Sequence, residues 1–134
     1  MRSDLPALII SSEACHRDRI AEIICKRGLR PVFCPSLADS CAIVARKTFR
    51  VIFCSDELPD SDLRTSLKSL AVTAAGVPVI VLSHLAEWDA YVFAIGAGAF
   101  DYIACPPDPV ETERIVRLAL NQATRTQRAS RTAA

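Results

Sequence analysis

Val51-Ile52-Phe53-Cys54 runs straight into Ser55-Asp56. Successive side chains on a strand point to opposite faces, so four apolar residues in a row leave neither face fit for water. Such a strand needs cover on both sides. Working outward, the same kind of run recurs. Ala7 to Ile10 and Val32 to Cys34 lie upstream, and Pro78 to Leu82 and Asp101 to Ala104 lie downstream. Helical stretches separate them. Glu13 to Arg27 sets Ile20, Ile23 and Ile24 on one side, with His16 a turn earlier, and Gly28 closes it. Ser36 caps a second helix reaching about Thr48. Asp62 to Val72 and Glu87 to Ala97 follow. Asp108 caps the last helix, with Pro109 at its first position. Five β–α repeats with strands dry on both faces predict a doubly wound parallel sheet. The right-handed crossover rule favours the strand order 2-1-3-4-5 with five flanking helices.

The chain has 134 residues, 51% hydrophobic, with a formal net charge of +1. That is one domain's worth of globular composition, expected over 1–123, followed by a basic, flexible tail over 124–134 carrying Arg125, Arg128 and Arg131. Near-neutral charge gives no argument for nucleic acid. No apolar run approaches the roughly 20 residues of a membrane helix, and the first residues lack a signal-peptide core. A cytoplasmic location is expected. Six cysteines include no C-x-x-C pair, and the chain has two histidines. Neither zinc nor a disulfide framework is therefore expected.

Ligands of an open parallel sheet bind beyond the carboxyl ends of its strands. Those ends are Ser11-Ser12-Glu13, Ser55-Asp56, Ser83-His84 and Cys105-Pro106. Pro59 lies four residues after Ser55. Ala97-Gly98-Ala99-Phe100-Asp101-Tyr102 enters the fifth strand, and Pro106, Asp108, Pro109 and Glu111 follow it. In this order and spacing the chain resembles the receiver domain of bacterial response regulators, a flavodoxin-like fold, from about Leu5 to Ala123. The resemblance implies phosphorelay signalling by a stand-alone, non-enzymatic domain, with Tyr102 at the aromatic switch position. It also shows what has changed. Ser11 and Ser12 replace the acidic pair that holds magnesium, Ser55 replaces the phosphate-accepting aspartate, and Cys105 replaces a lysine. Ser83 keeps the family's hydroxyl.

An acyl phosphate needs a carboxylate nucleophile and a carboxylate-bound magnesium ion, so a pseudo-receiver is expected, with no cofactor. The alternatives are an active phosphoacceptor using Asp56, Glu13 and magnesium, or a redox sensor using Cys105 and Cys54. A nucleotide- or flavin-binding domain is disfavoured, because no glycine opens the first β–α turn. On the fourth helix, Trp88, Tyr91, Val92 and Ile95 share what reads as the core face, and Phe93 lies off it. Phe93 with Trp88 is the expected partner surface. The resemblance implies docking through helix 4, strand 5 and helix 5. The expected partner is a histidine kinase, another response regulator or a second copy of the chain.

Overall fold

Residues 51–54 form the middle of the molecule, and all four side chains are wholly buried. The computed structural model describes the backbone of residues 5–133 and the side chains of residues 5–122. Its elements, in order, are β1 (Leu5–Ile10), α1 (Ala14–Cys25), β2 (Leu29–Cys34), α2 (Leu37–Val44), β3 (Val51–Ser55), α3 (Leu63–Thr73), β4 (Val79–Ser83), α4 (Trp88–Gly96), β5 (Asp101–Ala104) and α5 (Pro109–Ala133). The five strands are parallel in the order β2-β1-β3-β4-β5. The predicted class and topology are those observed.

The period-two alternation of the strands divides the core. Ala7, Ile9, Val51, Phe53, Ile80 and Leu82 face one side and meet Ile20 and Ile24 of α1 and Ile115, Val116 and Ala119 of α5. Leu8, Ile10, Ile52, Cys54 and Val81 face the other and meet Leu67 and Leu70 of α3 and Ala94 of α4. β2 begins three residues before the predicted Val32 and contains Pro31. It is an edge strand, where a missing N–H is tolerated. Gly28 supplies the positive φ, +81°, that turns α1 into it.

The caps are side chains reaching orphan N–H groups. Ser36 Oγ accepts from Asp39 N, Asp62 from Thr65 N and Asp108 from Glu111 N. Asp60, from the β3–α3 loop, adds a second cap to α2. Its two carboxylate oxygens accept the N–H groups of Leu37 and Ala38, each at 3.0 Å. The backbone of 124–133, expected as a tail, continues α5.

α4 corrects the sequence reading. Trp88, Val92 and Ile95 do not face the core. They are 73%, 47% and 36% exposed, and Ala94 is the buried residue of this helix. Small side chains, Ala94 and the partly buried Ala97, lie against the sheet side, which lets the larger stripe point to water. On α5, Ile115 and Ala119 are buried, whereas Val110 and Leu118 are exposed.

Two measurements check this account. Phe53→Ala should cost about 3–5 kcal/mol, read as a lower urea midpoint at unchanged slope. The backbone N–H groups of Ala38 and then Leu37 hold the Asp60 carboxyl below the usual carboxylate range. A depressed folded pKa stabilises above the unfolded value of about 3.9 and ceases to as pH falls through the folded one. Asp60→Ala should therefore melt below wild type at pH 7, with the gap closing in acid.

Candidate functional site

Three of the strands end in the same local device. Glu13 N–H donates to Ser11 Oγ at 3.1 Å, Glu57 N–H to Ser55 Oγ at 3.1 Å and Leu85 N–H to Ser83 Oγ at 3.0 Å. Each hydroxyl thus accepts the N–H two residues on, a turn that serine favours. All three serines are buried. Ser55 also turns its hydroxyl hydrogen toward the Glu57 carbonyl at 3.5 Å. The carboxyl edge of the sheet is therefore neutral and locally satisfied at these three positions, while Ser12 is exposed.

Charge enters just beyond them. Glu13 stands at the N-cap position of α1, yet its side chain does not cap the helix. It reaches instead across the end of β3 to His84, with Nε2 at 2.8 and 3.0 Å from the two carboxylate oxygens. This pair links the β1–α1 and β4–α4 loops. The hydrogen bond to Glu13 raises the His84 pKa, against a desolvation cost, and the nearby charges of Glu57 and Asp56 add to it. His16 lies beneath, with its ring centroid 4.4 Å from that of His84.

Asp56 is partly buried, and its N–H continues the ladder to the Leu82 carbonyl at 3.0 Å. Its charge also reaches Tyr102 and Cys105. Glu57 places a carboxylate oxygen within 4.8 Å of ligand atoms of Glu13 and His84. Cys105, one of the two redox-sensor candidates, is buried in the core on the α1 and α5 side. Burial pushes its thiol up to about 11 and that of Cys54 up to about 12. Both are protonated near neutral pH, which removes the thiolate a redox sensor needs.

A second group of predicted residues gathers at the β5 edge. Tyr102 O–H donates to the Leu85 carbonyl at 2.5 Å, from the loop that Ser83 turns. Its ring meets Tyr91 edge-on at 6.1 Å, and Tyr91 stacks on Trp88 at 5.3 Å. These rings, with Ala86, Glu87 and Ala104, line an open groove of about 460 Å³. Phe93 is not part of it. It stands about 140° around α4 from Trp88, 42% exposed, with the Arg64 guanidinium 5.0 Å from its ring centroid. The sequence reading missed the Glu13–His84 contact and the pairing of the two histidines. The signals were Glu13-x-x-His16 at one helical turn and a histidine directly after Ser83.

No family model matches the chain. Among curated proteins it is 22% identical over 108 residues to the transcriptional regulatory protein ZraR of Salmonella typhimurium, covering 81% of this chain and 24% of that protein. The chain thus spans about a quarter of the length of the curated relatives it matches. Its structure is similar to NtrX from Brucella abortus, with a TM-score of 0.85 and 21% identity over 95% of this chain and 30% of that one. It is also similar to a putative response regulator from Chloroflexus aurantiacus, with a TM-score of 0.82 and 20% identity over 88% and 98% of the two chains. A CheY-like receiver domain protein from Methanospirillum hungatei gives 0.79 and 20%, over 90% and 97%. The chain thus has the fold of these receiver domains.

Proposed function

We propose that this chain is a receiver-fold module of two-component signalling, without enzymatic activity of its own, that signals by docking a protein and not by carrying phosphate on aspartate. One observation carries the reading. Ser11 and Ser55, standing where the resemblance puts carboxylates, are buried and spend their hydroxyls on their own turns. A neutral hydroxyl is neither an acyl-phosphate nucleophile nor a strong magnesium ligand. The position of the family's lysine is Cys105, a buried thiol that supplies no positive charge to a transferred phosphoryl group.

The docking surface is the β5 edge of α4. Trp88, Val92 and Ile95 are spaced i, i+4, i+7 and all face water. Trp88 stacks on Tyr91, which Tyr102 in turn supports edge-on, so the largest apolar side chain is presented on a braced ring. A rigid aromatic anchor with an aliphatic stripe beside it is what a protein interface uses. Val110 and Leu118 add exposed apolar area on α5. Phe93, with its Arg64 partner, extends the surface toward α3. The partner is a second copy of the chain, a histidine kinase or another regulator. No helix among the described residues is long and apolar enough to cross a membrane, and we place the module in the cytoplasm.

A second reading keeps phosphorylation, with Asp56 as acceptor and magnesium held by Glu13 and Glu57. Its support is the nearness of the Glu13 and Glu57 carboxylates. Amide NMR with magnesium and beryllofluoride separates the two. A pseudo-receiver leaves Ser11, Ser55 and Ser83 unmoved. Saturable shifts there that spread to Tyr102 would restore phosphorylation as the switch.

The surface has its own test. The double variant Trp88→Ala, Phe93→Ala should stay within about 0.5 kcal/mol per site of wild-type stability, as exposed substitutions do. It should lose self-association in sedimentation equilibrium. Unchanged association would place the interface elsewhere, and a wild type that never associates would exclude the homodimer.

A further inference from the structure

The two histidines of this chain are far apart in sequence and in contact in the fold, with tilted rings whose centroids are 4.4 Å apart. His16 is the unusual one. It is 4% exposed, and neither ring nitrogen has a hydrogen-bond partner. A buried polar group without a partner is rare and asks for a reason. Its Nε2 faces Glu13 Oε1 at 3.5 Å, the same oxygen that lies 2.8 Å from His84 Nε2. Ligand atoms of Glu13, Cys15 and His16 all lie within 4.8 Å of one another.

These distances suit one kind of ion. Two nitrogen or oxygen ligands on a tetrahedral zinc ion, each about 2.0–2.2 Å from it, are roughly 3.3–3.6 Å apart. The Glu13–His16 separation is in that range. Cys15 is exposed on the first turn of α1 and can rotate inward. The side chain of His84 is half exposed, so a ring rotation away from its contact with Glu13 frees a nitrogen. A cavity of about 280 Å³, lined by Cys15, His16, Arg19, His84, Pro106 and Pro107, opens beside the two rings and gives an approach path. Arg19 works against a cation there, and the carboxylates of Glu13 and Glu57 work for one.

We propose that Glu13, Cys15, His16 and His84 form a binding site for one divalent transition-metal ion of the zinc class. The mixed set of imidazole, thiolate and carboxylate ligands is borderline-soft and selects zinc or cobalt over magnesium, which takes oxygen. On binding, the Cys15 thiol gives its proton to solvent, and His84 gives up any proton it shares with Glu13. The ion would pin the head of α1 to the end of β4, above the serine-lined edge. Sequence spacing alone predicted no zinc site, because three ligands come from one turn and the fourth from the distant β4–α4 loop. This site does not depend on whether Asp56 accepts phosphate.

The test is a titration of the reduced chain with cobalt, then zinc, followed by absorption and by the ring-nitrogen NMR signals of the two histidines. One equivalent should bind saturably and shift both rings, with a sulfur-to-cobalt band that disappears in Cys15→Ser. His84→Ala removes an exposed ring and should leave the fold intact, so it carries the test if His16 variants do not fold. It should weaken binding roughly tenfold or more, the scale on which even outer-shell partners count. Absence of saturable binding overturns the proposal. So does binding that moves neither ring and survives His84→Ala, since the metal would then sit on other cysteines.

Discussion

Val51 to Cys54 hold their four side chains away from water, two on each side of the sheet, and the rest of the molecule is arranged to keep them so. Helices α1 and α5 cover Val51 and Phe53, and α3 and α4 help cover Ile52 and Cys54. With both faces dry, polar groups are pushed to the strand ends, where the chain leaves the sheet. That is why Ser11, Glu13, Ser55, Asp56, Ser83 and His84 gather at one edge.

At that edge the identity of two residues decides much. Carboxylates at positions 11 and 55 would lie buried near each other and would need a cation to offset their repulsion. Serine removes both the charge and the need, and its hydroxyl also closes the turn that follows. The charges that remain, Glu13, Asp56 and Glu57, sit one step further out, partly or fully exposed. Glu13 turns to His84 and away from the helix it precedes. The outcome is an edge at which Ser11, Ser55 and Ser83 each accept a hydrogen bond within their own turn.

The sequence showed the fold well because each β–α repeat is locally consistent. Gly28, Ser36, Asp62, Asp108 and Pro109 mark helix ends by chemistry that acts within a few residues. The double cap of α2 by Asp60 was not legible, since it joins a loop to a helix more than twenty positions earlier. The face of α4 was misread because periodicity finds the largest apolar stripe, whereas the sheet took the smaller alanines. Cys105 stands at a family position that carries a charged chain, and its short thiol folds into the core. The meeting of His16 and His84 is a product of strand order, which places the ends of β1 and β4 on either side of β3.

Trp88 is the chain's single tryptophan, and it stands in water in the native state. Unfolding moves it from one wet environment to another, so its emission is a poor witness to loss of the core. Anything that covers α4, however, takes this indole out of water. The protein therefore carries an optical reporter that loses only its stacking on Tyr91 when the fold is lost, and that responds most to contact on α4.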